Sequence, residues 1–192
     1  MLLPAMARAG DVSSLTPQVL ISPRPREVTV AVDGESRACK VLGRFVAQVP
    51  DNVAWAVLTD YDHLARFVSS LEASKVESRS GNHLTVAQDA AAHVFLFHRD
   101  VHVRLDVNEE PERRIVFRDT LGKDFRSYVG EWRVRPDSTG TLVEYQLAAE
   151  PRSAVPRSVC RGMLKRTAQS LLTEVRSEML RRGGPGVPPG ER

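Results

Sequence analysis

Residues 154–182 read AVPRSVCRGMLKRTAQSLLTEVRSEMLRR, and this stretch predicts one amphipathic helix of about eight turns. Within this stretch no glycine or proline follows Gly162, and apolar side chains recur every three or four positions, as a helix with one buried face requires. The apolar face consists of Val155, Val159, Met163, Leu164, Ala168, Leu171, Leu172, Val175 and Met179. We therefore expect the helix to lie with this face against the rest of the domain.

Predicted strands fill most of the chain before this helix. Alternation of apolar and polar residues, broken by short turns, places strands at 28–32, 37–49, 71–79, 82–90, 93–107, 113–121, 125–135 and 141–149. Short turns between consecutive strands indicate an antiparallel meander. Two short helices between residues 51 and 67 complete an α+β arrangement, with the helices on one face of the sheet. If the sheet curves around the long helix, a cavity forms between them.

Composition limits the class of protein. The chain has 192 residues, of which 42% are hydrophobic, and this is typical of one globular domain, which we place at 27–182. No apolar run approaches the ~20 residues that cross a bilayer. Proline and glycine predict disorder at 1–26 and 183–192.

The opening MLLPAMARAG lacks a basic start, which favours the cytoplasm. A truncated secretion signal would instead indicate the periplasm.

The two cysteines, Cys39 and Cys160, have no metal-like spacing and form no redox motif. Cys39 falls on the apolar side of a predicted strand, and Cys160 on the apolar flank of the long helix. We expect two buried small hydrophobic side chains. A disulfide is the alternative interpretation, and nothing in the sequence specifically indicates it.

Three segments carry a resemblance to a known superfamily. They are AWAVLTDYDHLARF at 54–67, KDFRSYVGEWRV at 123–134 and GTLVEYQLAAEP at 140–151. Together with the strand order, they resemble the START-related helix-grip (SRPBCC) superfamily, and most of all its bacterial polyketide cyclase/dehydrase and coenzyme-Q-binding-like branch. The resemblance covers 37–182, and it departs from the family at Val68-Ser69, where proline is frequent. It implies a curved sheet that grips the last helix around a hydrophobic pocket.

Strand parity selects the side chains that would line such a pocket. The inward-facing set is Phe95, Phe97, Val101, Phe117, Tyr128, Trp132 and Tyr145, and Met163 and Leu171 face it from the helix. A closed core and an apolar pocket use the same residue types, so parity alone does not choose between them. The family resemblance favours a pocket.

Three charged residues share the parity of this apolar face. Arg99, Asp119 and Arg126 would form one row across three strands if residue 99 pairs with 119 and residue 119 pairs with 126. Such a row would be a polar recognition point, because a buried charge requires a partner. The alternative is a row at the wet rim of the sheet.

No motif for catalysis, nucleotide binding or metal binding occurs in the sequence. His98, Asp100 and His102 share the polar face of one strand, which predicts a solvated surface and no metal site. We therefore expect neither a metal nor a cofactor.

The predicted function is binding or transport of a hydrophobic small molecule, such as a lipid, a quinone or a polyketide-like aromatic. The first alternative is a polyketide cyclase or dehydratase, which would have to use Arg99, Asp119 or Tyr128 as acid or base. The second is a ribosome- or protein-interaction module that uses Arg157, Arg161 and Lys165 on the long helix.

A binding protein is favoured over an enzyme. We expect a monomer or weak homodimer with no DNA partner, and contact with a membrane surface is a further alternative.

Overall fold

The computed structural model describes residues 28–33, 38–94, 97–153 and 156–184. The predicted disordered N-terminal segment and nearly all of the predicted tail lie outside these ranges. Gly183, which we assigned to that tail, instead ends the last helix.

Eight strands and three helical segments make up the described fold. The strands are β1 Thr29–Asp33, β2 Cys39–Ala47, β3 Leu71–Ser80, β4 His83–Val94, β5 Phe97–Glu110, β6 Arg114–Asp119, β7 Phe125–Asp137 and β8 Gly140–Pro151. The helices are α1 Asp51–Leu58, a 3₁₀ helix Tyr61–Arg66 and the long α2 Arg157–Gly183. The predicted element types and their order along the chain are confirmed.

All eight strands belong to one antiparallel sheet with the order β1-β2-β8-β7-β6-β5-β4-β3. Strands β3 to β8 follow one another as a meander, and β2 pairs with β8 at its far side. α1 and the 3₁₀ helix connect β2 to β3, which lie far apart in the sheet. The sheet curves around α2, so the predicted α+β helix-grip fold is confirmed.

Helix α2 packs most closely against the β2 side of the sheet. Leu172, Val175 and Met179 are fully buried there, and Phe45 on β2 is fully buried beneath them. Gly43 has no side chain at the point of closest approach: a Cβ atom there would lie 2.2 Å from Leu172 Cδ1. The helix makes few contacts with β3 to β6, so space remains between them.

A disulfide joins Cys39 of β2 to Cys160 near the start of α2. The expectation of two free buried cysteines was therefore wrong, although both side chains are buried. The physical reason is the seating of α2 on β2, which brings the two Cα atoms to 6.5 Å, within the range that a disulfide spans. The bridge closes a loop of 121 residues.

The pairing of β5 with β6 differs from the predicted one. β5 continues to Glu110, and the turn lies at 111–113, where Glu112 adopts a positive φ of 58°. Val107 therefore lies opposite Phe117, where the predicted register had placed Val101. On the other side, Phe117 lies opposite Gly130 instead of Tyr128. Both shifts are even numbers of residues, so the inward faces stay inward.

An ionic cluster ties the end of α2 to the 3₁₀ helix. The Glu178 carboxylate, with a side chain only 9% exposed, accepts hydrogen bonds from Nε of Arg181 and of Arg182, each at 2.7 Å. Arg182 Nη2 also donates to Asp60 Oδ2 at 2.8 Å, and its guanidinium lies 5.6 Å from the Phe67 ring centre. This cluster holds one end of the helix over the sheet.

The cluster predicts a pH dependence of stability. The hydrogen bond from Arg181, aided by Arg182 and opposed by burial, holds the pKa of Glu178 below its usual 4.5. Its contribution is present above that value and is lost as the pH falls through the lower folded pKa. We expect Glu178→Gln to destabilise the protein in urea at pH 7 and to destabilise it less at pH 4, below the usual pKa of the carboxyl. The exposed Glu72→Gln variant should change neither value, and an equal loss from Glu178→Gln at both pH values would contradict the assignment.

Candidate ligand-binding cavity

A cavity of about 240 Å³ lies between α2 and the inner face of the sheet. Its wall is predominantly apolar and aromatic. From the sheet, and from Ser70 just before β3, it is lined by Val41, Leu71, Gln88, Ala90, Val101, Val103, Leu105, Val107, Ile115, Phe117, Phe125, Tyr128, Trp132, Tyr145, Leu147, Ala149 and Pro151. From the helices and their connections it is lined by Leu58, Tyr61, Leu64, Val68, Cys160, Met163, Leu164, Thr167, Ala168, Leu171 and Val175. The inner face is therefore a pocket rather than a fully closed core.

Alternation along the strands explains most of this wall. On β5, every second residue from Val101 to Val107 faces the cavity. β7 is an exception, because both Phe125 and Tyr128 line the cavity although they are three residues apart. A register irregularity between Phe125 and Ser127 lies between them, and such a bulge changes the facing of the strand.

Four aromatic side chains form what we call the aromatic wall: Phe117, Tyr128, Trp132 and Tyr145. The Phe117 ring centre lies 6.1 Å from that of Tyr128 and 6.4 Å from that of Tyr145, and Trp132 lies 4.4 Å from Tyr145. Gly130 makes this arrangement possible, because a Cβ atom there would lie 2.4 Å from Cζ of Phe117. These rings offer a surface suited to flat apolar molecules.

The wall carries phenolic hydroxyls that stay protonated at neutral pH. Burial raises the pKa of Tyr128 to about 12, and the nearby Asp119 charge adds to this shift. Burial and the Tyr128 hydroxyl raise the pKa of Tyr145 well above 10.0. The Tyr61 hydroxyl donates to Glu109 Oε1 at 2.9 Å, and burial also raises the pKa of Tyr61. These groups are therefore neutral hydrogen-bonding groups rather than bases.

The predicted row of Arg99, Asp119 and Arg126 does not form. In the observed register Arg99 lies opposite Ala92, and Asp119 lies opposite Leu105. Arg126 is exposed. The row fails because the β5–β6 turn lies further along the chain than the sequence suggested, and residues 99 and 119 are then far apart in the ladder.

Asp119 has a structural role at the turn between β6 and β7. Its carboxylate accepts hydrogen bonds from the backbone N–H groups of Arg104 at 3.0 Å, Leu121 at 2.9 Å and Gly122 at 3.0 Å. Neither Asp119 nor Arg126 belongs to the cavity wall among the described residues. The polar recognition point that we assigned to them is therefore withdrawn.

The structure brings together most of the other predicted site residues. Val101, Phe117, Tyr128, Trp132, Tyr145, Met163 and Leu171 all line the cavity. Phe95 and the side chains of Phe97 and Arg99 lie outside the described part of the chain. That the lining residues bind a ligand stays a prediction.

Sequence reasoning missed the part of the wall that comes from the segment between β2 and β3. Leu58, Tyr61, Leu64 and Val68 line the cavity from α1, the 3₁₀ helix and the residues after it. The available signal was the resemblance of 54–67 to the helix-grip superfamily, since elements this short give no usable periodicity.

The polar face of β5 contains no metal site within the described residues. Asp100 is exposed, and His102 Nδ1 lies 2.6 Å from Asp89 Oδ1 at the surface. No described helix has the length and apolar character needed to cross a membrane.

A curved antiparallel sheet that grips a C-terminal helix around an apolar cavity defines a START-like helix-grip protein. Residues 47–176 match the family described as polyketide cyclase / dehydrase and lipid transport. The match covers more than half of the chain, and the chain belongs to this family.

Solved structures agree on the fold. The STAR-related lipid transfer protein from Xanthomonas axonopodis is 19% identical with a TM-score of 0.63, over 82% of this chain and 96% of that one. The Zhui aromatase/cyclase from Streptomyces sp. R1128 is 19% identical with a TM-score of 0.65, over 77% of this chain and 98% of that one. A START superfamily protein from Mycobacterium smegmatis is 12% identical with a TM-score of 0.66, over 74% of this chain and 97% of that one. At these identities the likeness concerns the fold alone. No curated protein matches the sequence significantly.

Proposed function

We propose that the protein binds a hydrophobic small molecule in the cavity between α2 and the sheet, and that it carries or sequesters this molecule. The observation that supports this most is the cavity itself, with its aromatic wall and apolar lining. A volume of about 240 Å³ is slightly below the ~300–1,000 Å³ that is typical of small-molecule pockets. A compact ligand fits this space better than one with long chains.

Apolar burial supplies the driving force for such binding. Each Å² of apolar surface removed from water contributes about 25 cal/mol, and the enclosed wall can cover most of a small ligand. The structural relatives include a STAR-related lipid transfer protein and an aromatase/cyclase, and this supports an apolar ligand for the cavity.

A cyclase or dehydratase activity is less well supported. Such chemistry needs an acid and a base inside the cavity, and the described lining contains no Asp, Glu, His, Lys or Arg side chain. Asp119, which we considered as a candidate, is engaged by three backbone N–H groups. Of the residues on which the ribosome-interaction alternative depends, Arg161 and Lys165 are exposed on α2, and the side chain of Arg157 lies outside the described part of the chain.

Native mass spectrometry of protein purified from its own host tests the proposal directly. We expect a co-purifying apolar compound that extraction with organic solvent removes and that rebinds to the extracted protein. A ribosomal or other protein partner with an empty cavity would contradict the proposal.

Substitution at the cavity wall provides a second test. Met163 is half-buried on α2 and lines the cavity, so Met163→Trp should fill part of the space and reduce binding of the extracted compound at least tenfold. Gln169→Trp is the matched control, because Gln169 is exposed on the same helix and is not part of the described wall. Thermal unfolding of both variants should resemble that of the wild type. Unchanged binding by Met163→Trp would place the ligand elsewhere.

A further inference from the structure

Two tyrosines line the same part of the cavity. Tyr128 on β7 and Tyr145 on β8 both belong to its wall, and both rings pack against Phe117, with ring centres 6.1 Å and 6.4 Å away. A hydrogen bond links their hydroxyls. Two hydroxyls carry two protons, and one hydrogen bond between them uses only one. At least one O–H donor of the pair is therefore left for a further acceptor.

Tyr61 also lines the cavity, but its hydroxyl already has a hydrogen-bond acceptor in the protein. Its ring lines the cavity, but its hydroxyl donates to Glu109 Oε1 at 2.9 Å. Arg79 Nη1 in turn lies 3.3 Å from the other oxygen of Glu109. The Tyr61 hydroxyl is thus already satisfied by a charged partner, in contrast to the Tyr128–Tyr145 pair.

The surroundings of the pair restrict the charge of any ligand. None of the described lining residues carries a charged side chain, so an ionised ligand would lose its hydration without gaining a counter-charge. Burial raises the pKa of Tyr128 and the Asp119 carboxylate adds to this rise, so the charge of Asp119 reaches the pair. A negative charge at that position would disfavour an anion further.

The shape of the surroundings restricts the ligand's body. The Phe117 ring is adjacent to both tyrosines, with ring centres 6.1 Å and 6.4 Å away, and the ring centres of Trp132 and Tyr145 are 4.4 Å apart. A flat ring system that packs against the aromatic wall would bring one edge toward the hydroxyl pair.

We infer that the cavity selects a compact, neutral, flat molecule that presents one hydrogen-bonding oxygen, such as a phenol or a ring ketone, to the Tyr128–Tyr145 pair. This inference rests on the proposed function and specifies its ligand class. The pair acts as a specificity determinant, because an oxygen-free ligand leaves the surplus O–H without an acceptor.

Three probes of nearly equal size test it: naphthalene, 2-naphthol and 2-naphthoate. They differ at one ring position, which bears no oxygen, a neutral hydroxyl or an ionised carboxylate at neutral pH. Binding to the extracted wild-type protein is measured by equilibrium dialysis at pH 7. We expect 2-naphthol to bind about three- to tenfold more tightly than naphthalene, the effect of one net hydrogen bond, and 2-naphthoate to bind more weakly than both.

Conservative variants then locate the effect. In Tyr128→Phe/Tyr145→Phe, the advantage of 2-naphthol over naphthalene should vanish. If the double variant is unstable, the single variants Tyr128→Phe and Tyr145→Phe are measured instead. Ser177→Ala is the control, because it removes a hydroxyl from the exposed side of α2, outside the described cavity wall, and should keep the full advantage of 2-naphthol.

The outcomes separate this inference from the proposed function. If naphthalene does not bind the wild type, the proposed apolar pocket is itself overturned. If naphthalene binds but 2-naphthol has no advantage, or keeps it in the double variant, the tyrosine pair is not the determinant. If 2-naphthoate binds as well as 2-naphthol, the inferred neutrality of the ligand is wrong.

Discussion

Replacing Cys39 and Cys160 together by alanine is expected to lower the free energy of unfolding by about 2–5 kcal/mol. The bridge closes a loop of 121 residues, and in the chain-entropy description a loop of this length lies near the upper end of that range. Urea denaturation of the oxidised wild type and the double variant measures the difference.

Reduction provides the matched control for this prediction. In dithiothreitol the wild type should lose about as much stability as the double variant, and the double variant itself should not change. A double variant as stable as the oxidised wild type would show that packing alone holds α2 on β2.

The same bridge bears on the cavity, because Cys160 is part of its wall. Cys39 and Cys160 are each almost fully buried, at 4% and 3% exposure. Their loss therefore affects the end of α2 that covers the cavity, opposite the end held by Glu178 and Arg182. We expect ligand binding to weaken together with stability in the double variant.

The contact between Gly43 and Leu172 gives the second large effect. Leu172→Ala should lower the free energy of unfolding by about 2–5 kcal/mol, because it removes a fully buried side chain and leaves a cavity. Gly43→Ala should cost about 1–3 kcal/mol, since its new Cβ would lie 2.2 Å from Leu172 Cδ1. Urea denaturation at neutral pH measures both.

A double-mutant cycle identifies the cause of the Gly43→Ala effect. In the Leu172→Ala background the collision is absent, so Gly43→Ala should be neutral or slightly stabilising. Gly162→Ala is the control, because a Cβ atom there meets nothing within 4 Å, and alanine is preferred over glycine in a helix. An equal cost of Gly43→Ala in both backgrounds would contradict a steric origin.

The failure of the predicted charged row shows where pattern-based reasoning stops. Alternation identified inward positions on all three strands, as the places of Val101, Phe117 and Tyr128 on the cavity wall show. It was wrong for Arg126 on β7, because the irregularity between Phe125 and Ser127 changes the facing of that strand. A strand that slides by an even number of residues keeps these faces. The row of Arg99 and Asp119 depended on the register itself, which the turn at 111–113 sets.

The site was predictable to a similar extent. Strand parity and helix period selected most of the aromatic and apolar residues that face the cavity. They could not indicate that Tyr128 and Tyr145 both pack against Phe117, because this arrangement depends on the observed pairing of β7 with its neighbours and on the space that Gly130 leaves for the Phe117 ring.

The sequence by itself determined which elements form, their order and which of their faces are apolar. The repeats of two and 3.6 residues are local properties of strands and helices, and every segment displays them without reference to the others. The tertiary structure alone decided the register of β5 on β6, the bond between Cys39 and Cys160 and the presence of a cavity instead of a filled core. Each of these depends on distances between residues that are remote in the chain, and the same inward-facing residue types are compatible with several such distances.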